Sequence, residues 1–237
     1  METLTPAQIE GLKQQAAYYA VEHFVKSGMV VGLGTGSTAE YAVREIARRL
    51  QARELRHVVG IPTSRRTAQL ALDLGIPLGD LNSHPQVDVV LDGADEVDSQ
   101  GNLIKGMGGA LLWEKIVATA ARQVVILVDM RKRVERLGTR TPLPVEVEPF
   151  GWRIHVPFLE ERGGQVRIRA TEDGEPFVTD GGHYILDVTF PNGIEDPWRL
   201  AQMLQSRAGI VEHGLFLGMA DIIVVGTLGG VEVHRGD

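Results

Sequence analysis

The chain contains no cysteine, which excludes disulfides, thiolate metal sites and a cysteine nucleophile together. Serine, threonine, lysine, carboxylates and seven histidines remain for any chemistry, and the histidines show no metal-ligand spacing. Lysine is scarce: of 24 basic residues only Lys13, Lys26, Lys105, Lys115 and Lys132 are lysines. Arginine covers the rest of the basic surface, so each lysine is unusually informative. No apolar run approaches the roughly 18 residues of a membrane span, and the N-terminus lacks a basic segment followed by an apolar signal core. A cytoplasmic location without membrane association is the expectation. A net charge of −7 argues against nucleic acid as the main partner. What is present suffices for one large domain or two unequal ones: 237 residues, 43% of them hydrophobic, with mean hydropathy near zero.

The first part alternates between helical and strand patterns. Thr5 can cap a helix that has Pro6 in its first turn and Ala16, Ala17, Ala20, Val21, Phe24 and Val25 at helical spacing. Strands are expected at residues 29–32, 57–61, 87–91 and 124–128, with helices after GLGTGSTA to about Gln51, over 63–74 and over 109–121. This pattern predicts an α/β fold, a mostly parallel Rossmann-like sheet flanked by helices, whose ligands sit beyond the carboxyl ends of the strands. The glycine turn, Pro62–Ser64, the DGAD segment and Asp129 should then share one edge.

From Pro142 the texture changes. LPVEVEP precedes a helix to Glu161 that is interrupted by Pro157, then strands QVRIRA, PFV and HYILDVTF, a helix over 196–206 and a strand over 210–216. The expected division is an α/β catalytic domain of residues 1–141 plus 218–237, and a small α+β, ferredoxin-like domain of residues 142–217. The closing DIIVVG and GVEVH runs should return to the large sheet.

Four segments carry chemistry. GLGTGSTA, residues 32–39, lies between a strand and a helix, where backbone N–H groups and the helix dipole favour a phosphate. It lacks the third glycine of a dinucleotide fingerprint and the GK pair of a Walker A loop. DGADEVD ends a buried strand in Asp92 and Asp95; Ala94 breaks the alternation of oxygen ligands that a calcium loop needs. Magnesium held by one or two carboxylates and a substrate phosphate is compatible with it, as is a plain Asx turn. Lys105 leads into GMGG and can neutralise an oxyanion or simply be solvated. Glu114 falls on the helix face of Ala110, Leu111, Val117, Ala118 and Ala121, where desolvation and a nearby cation together would poise it as a general base; an arginine-paired interfacial glutamate is the plainer alternative. Arg131, Lys132 and Arg133 form a basic cluster of the kind that usually faces solvent. Trp113, Trp152 and Trp198 are isolated and read as packing or interface residues.

Taken in order, GTGST, DGADE, KGxGG followed by a glutamate on the next helix, LPVEV, and GIVEHGLF with ADIIVVG resemble the metal-independent ribose-5-phosphate isomerase family of type A over nearly the whole chain. The resemblance implies interconversion of ribose 5-phosphate and ribulose 5-phosphate in the pentose phosphate pathway, with no cofactor and no metal. It makes Thr35, Gly36, Ser37, Thr38, Asp92, Gly93, Ala94, Asp95, Lys105, Gly106, Met107, Gly108 and Lys132 substrate-binding positions. Glu114 becomes the proton acceptor, with Lys105, Asp92 and Asp95 as further catalytic groups and Lys13 near the phosphate. Met107, Trp113 and Arg131 depart from residues common in the family. The implied partner is a small sugar phosphate, and a homodimer or homotetramer is expected. A coenzyme A transferase, with a covalent glutamyl nucleophile, and a sugar-phosphate sensor are the rival classes. The sensor would carry a helix-turn-helix segment, for which the residues before the first helix leave no room.

Overall fold

A computed structural model describes residues 4–236. In chain order the elements are α1 (Pro6–Phe24), β1 (Val30–Leu33), α2 (Ser37–Gln51), β2 (Val59–Pro62), α3 (Arg65–Asp73), β3 (Val89–Gly93), β4 (Glu96–Val97), β5 (Leu103–Ile104), α4 (Leu111–Thr119), β6 (Val124–Asp129), β7 (Leu143–Val147), α5 (His155–Glu160), β8 (Gln165–Ile168), β9 (Tyr184–Thr189), α6 (Pro197–Gln205), β10 (Ile210–His213), β11 (Leu215–Phe216), β12 (Ile222–Thr227) and β13 (Gly230–Arg235). They fall into two units. Among the described residues, the first holds 4–94, Trp113–Lys132 and 218–236; the second holds Asp95–Leu112 and Arg133–Leu217.

The first unit is built on a six-stranded sheet in the order β13-β12-β6-β3-β1-β2. All pairings are parallel except that of β12 with β13. The inner strands are buried along their length, as the near-continuous apolar runs VVL and VVILV require of a sheet covered on both faces. Helix α1 begins in a capping box: the Thr5 hydroxyl accepts from Gln8 N, and Gln8 Oε1 accepts from Thr5 N. Its small residues Ala16, Ala17 and Ala20 are fully buried, and the helix packs on α2, β6 and β12. Close approach is enforced at Gly226, where any Cβ would collide with the Leu12 carbonyl. From β1 the chain moves to β2 on one side and then to β3 on the other, so the sheet reverses its winding between β1 and β3. In open α/β sheets that reversal is where ligands bind.

The second unit contains a four-stranded antiparallel sheet in the order β10-β7-β9-β8. With α5 and α6 this is the β-α-β-β-α-β arrangement expected of a ferredoxin-like domain. Its core joins Val145, Val147, Leu186 and Val188 of the sheet to Leu159 and Leu204 of the helices. Pro157 is accommodated because it is the third residue of α5, where the backbone N–H would have no partner within the helix.

Three expectations require correction. PFV, residues 176–178, forms no strand; its only ladder contact is an isolated bridge between Pro176 and Ala170. The run 210–216 is two strands, because Gly214 lies where a Cβ would meet the Lys105 carbonyl and Pro144 Cδ, and β11 leaves to pair with β5. Residues 95–112 and 133–141 group with the second unit, whereas the sequence placed the boundary at 141/142. The reason is a three-stranded sheet of order β11-β5-β4 made from strands only two residues long, too short to leave an alternation signal.

Candidate functional site

The carboxyl ends of β1, β2, β3 and β6 lie on one edge of the parallel sheet, as the register Leu33 with Pro62, Leu33 with Leu91 and Gly93 with Leu127 shows. At the reversal between β1 and β3, Gly34 N donates to Leu91 O at 3.0 Å and Thr35 N donates to Asp92 Oδ1 at 3.1 Å. Asp92 is buried, and the same oxygen also accepts from its neighbour Gly93 N at 2.7 Å. A Cβ on Gly34 would run into the Asp92 carboxylate and stand 2.6 Å from Asp92 Cα. The glycine is therefore required by the approach of the aspartate, not only by the turn.

Thr35, expected as a substrate contact, has its hydroxyl engaged inside the protein. Oγ1 lies 2.8 Å from Thr63 Oγ1, 2.8 Å from Ser64 Oγ and 3.0 Å from Thr67 Oγ1. This buried cluster joins the ends of β1 and β2 to the start of α3, and Thr67 Oγ1 also donates to Gly34 O at 3.1 Å. The Thr63, Ser64 and Thr67 hydroxyls were not singled out from sequence, although PTS at the end of a strand was a local signal. Gly36 adopts φ +118° as the N-cap of α2 and supplies no side-chain cap, so the first N–H groups of the helix at Ser37 and Thr38 have no capping side chain. Ser37 is exposed and Thr38 is buried.

Asp129 closes β6, fully buried, and receives Arg131 through Nε at 2.7 Å, Nη2 at 3.0 Å and the backbone N at 3.0 Å. Burial by itself would raise the carboxyl pKa; the hydrogen bonds from Arg131 and the charges of Arg131 and Lys132 outweigh it, and the group is held below the ordinary carboxylate value. The departure at Arg131 thus has a local use. Lys132 follows in the same 3₁₀ turn, Met130–Lys132, and is half-buried. Lys13 pairs with Glu10 at 2.7 Å; its hydrogen bond and that of Tyr41 hold the Glu10 carboxyl below its usual range. Glu114 is 4% exposed on α4, with Leu111, Val117 and Ala118 of the same helix buried, as its spacing predicts.

In the second unit Asp95 Oδ2 accepts from Met107 N at 3.0 Å, which ties the acidic turn to the glycine-rich one. Lys105 is buried, its N–H donating to Gly214 O at 2.9 Å and its Nζ standing 5.4 Å from the centre of the Phe216 ring. Gly106 has φ +107° and a Cβ there would meet Leu111; Gly109 has φ +77° and a Cβ there would meet the Phe177 ring. Ala94 is half-buried, while Met107 and Gly108 are exposed. Glu96, the third acid of the motif, is structural: its carboxylate accepts from the backbone N–H of Gly138, Arg140 and Thr141 at 2.6, 2.6 and 2.7 Å. Among the described residues no group of three His, Asp or Glu side chains could hold a metal ion, and no helix is long and apolar enough to cross a membrane.

The family model for ribose 5-phosphate isomerase A (phosphoriboisomerase A) matches residues 59–230. The ribose-5-phosphate isomerase A of Chloroflexus aurantiacus is 52% identical over 229 residues, covering 96% of this chain and 95% of that protein. The solved ribose 5-phosphate isomerase A of Methanocaldococcus jannaschii is 43% identical and superposes with a TM-score of 0.90 over 95% of this chain and 99% of that one. A D-ribose-5-phosphate isomerase solved in complex with phospho-erythronic acid is 38% identical, with a TM-score of 0.93 over 96% and 99% of the two chains. On a match of this extent in both sequence and fold, the chain belongs to the ribose 5-phosphate isomerase A family.

Proposed function

We propose that this enzyme interconverts D-ribose 5-phosphate and D-ribulose 5-phosphate through an enediolate, with Glu114 as the base that moves the proton between C1 and C2. The observation that carries the reading is a carboxylate 4% exposed on an otherwise apolar helix face, directly after the Lys105–Gly109 turn in a chain of this family. One base on one face of the sugar serves both carbons, because the proton leaves and returns on the same side of the planar intermediate. Lys105 supplies fixed positive charge for the developing oxyanion, the kind of preorganised electrostatics that is often the largest catalytic contribution. Asp92 or Asp95 assists opening of the furanose ring. Ser37 and Thr38, at the N-terminus of α2 and without a capping side chain, receive the phosphate together with Gly36, with the Lys132 charge on the same sheet edge. Thr35 contributes by shaping that loop, since its hydroxyl is engaged with Thr63, Ser64 and Thr67. Gly93, Ala94, Gly106, Met107 and Gly108 complete the proposed sugar-binding backbone.

The phospho-erythronic acid bound to a relative fits this chemistry: a sugar-acid carboxylate spreads negative charge over two oxygens, as an enediolate does. No metal or cofactor has a role in the scheme. A cytoplasmic homodimer or homotetramer is the proposed form, supported by the composition and by exposed apolar side chains such as Phe150, Ile154 and Trp198. Proton NMR of ribose 5-phosphate in D2O with EDTA present tests conversion, solvent labelling at carbon and metal independence together. Glu114→Gln should lose at least about 100-fold in turnover while ribose 5-phosphate still binds by calorimetry. Near-normal turnover of that variant sinks the assignment.

A further inference from the structure

The turn Lys105–Gly109 is gripped by one charged side chain that no part of the scheme above uses. Arg169, just beyond β8, has a side chain only 12% exposed. Its Nη1 donates to Gly106 O at 2.8 Å and to Met107 O at 3.2 Å. The other edge of the guanidinium is held by Asp187 of β9, Nε to Oδ2 at 2.9 Å and Nη2 to Oδ1 at 2.5 Å. The arginine backbone is fixed as well, its N–H donating to Ile185 O and its carbonyl accepting from Phe177 N, both at 2.8 Å. Such a fork cannot be reproduced by lysine, which offers a point charge and no planar bidentate edge.

Two carbonyls drawn to one nitrogen have a geometric consequence. Peptide units are planar and, throughout the described chain, trans, so each N–H points opposite to the preceding carbonyl. With Gly106 O and Met107 O turned toward Arg169, the N–H groups of Met107 and Gly108 face the other way. The first of them reaches Asp95 Oδ2 at 3.0 Å. Consecutive N–H groups on one side of a glycine-rich turn form a concavity suited to an anion. Gly106 O also accepts from Gly109 N at 3.0 Å, which closes the turn around the same carbonyl.

We infer that Arg169, braced by Asp187, is a positioning residue: it sets the direction of the two peptide units, so that the Met107 N–H meets Asp95 and the Gly108 N–H is turned toward the oxyanion of the reacting sugar. The inference rests on the reading of residues 105–108 as substrate-binding. It gives the small antiparallel sheet a catalytic consequence, because β8 and β9 hold the two charged groups that aim the turn.

The test compares wild type with Arg169→Ala, Arg169→Lys and Asp187→Ala. For Arg169→Ala, kcat for ribose 5-phosphate should fall about 10- to 100-fold, the effect of losing one charge-assisted hydrogen bond's worth of orientation, with KM within about threefold. Arg169→Lys and Asp187→Ala should fall between it and wild type, and millimolar guanidinium should restore part of the lost kcat in Arg169→Ala while leaving wild type unchanged. Hydrogen exchange at the Met107 amide, which donates to Asp95, should speed up at least about tenfold. Unchanged kcat, a loss confined to KM, or unchanged exchange overturns the inference; if Arg169→Ala does not fold, Arg169→Lys and Asp187→Ala decide it by the same readings. A wild type inactive on ribose 5-phosphate would overturn the proposed function instead, and the exchange measurement would still decide whether Arg169 aims the turn.

Discussion

Replacing Glu96 by glutamine should damage stability far more than catalysis. The carboxylate is fully buried and accepts three backbone N–H groups, Arg140 and Thr141 on Oε1 and Gly138 on Oε2. Glutamine is nearly isosteric, so packing hardly changes, and the effect isolates charge and hydrogen bonding. If the amide oxygen takes the place of Oε1, two bonds persist as neutral ones, each weaker by about 1 kcal/mol than its charge-assisted predecessor. The amide nitrogen then faces Gly138 N–H, donor against donor, and leaves a buried group unsatisfied at about 1–3 kcal/mol. The total is about 3–5 kcal/mol, a large part of the roughly 5–15 kcal/mol by which proteins are stable. For a chain of this length it corresponds to a fall in Tm of about 10 °C. Urea unfolding followed by tryptophan fluorescence should show a lower midpoint with an unchanged slope, whereas kcat of the folded variant at 25 °C stays within about threefold of wild type. A stability change below about 0.5 kcal/mol, or a collapse of kcat at full stability, would refute the reasoning.

Gly34→Ala places a Cβ 2.6 Å from Asp92 Cα, so β1 and β3 must part at their carboxyl ends. The expected result is about 1–3 kcal/mol of destabilisation with a fall in kcat, read by urea unfolding and the isomerase assay; a variant with wild-type values for both shows that the approach is slack. Asp129→Asn tests the pair with Arg131. Because the Asp129 carboxyl is held below its ordinary value, its stabilisation is complete above the unfolded value of about 3.9 and is lost as pH falls through the lower folded value. The wild-type advantage in urea midpoint over D129N should be full at pH 7 and close toward pH 2. A gap that does not narrow in acid contradicts that assignment.

Much of the architecture was legible because its signals are local. The capping box at Thr5 and Gln8, the run of small residues through Ala20 and the buried VVL and VVILV strands need only neighbours along the chain to be recognised. The burial of Glu114 was legible for the same reason: a helix face is a property of spacing, and a carboxylate on an apolar face stands out. The hairpin of β4 and β5 was not legible, since strands of two residues carry no period. Pro176–Val178 read as a strand on residue type alone, yet lacks a continuous partner.

The acids at 92, 95, 96 and 98 look alike in sequence, and only tertiary partners separate them. Asp92 accepts from Thr35 N, Asp95 from Met107 N, Glu96 from three amides of the 138–141 segment, and Asp98 from Gln100 and Asn102 within its own turn. Sequence by itself determined the fold class and the order of the longer helices and strands, because helix and strand periods, caps and glycine turns are written in contiguous residues. Tertiary structure alone decided which acid is scaffold, which hydroxyl is already engaged and which arginine grips the turn. Those outcomes depend on donors 12 to 63 positions away, whose distances along the chain leave no periodic trace.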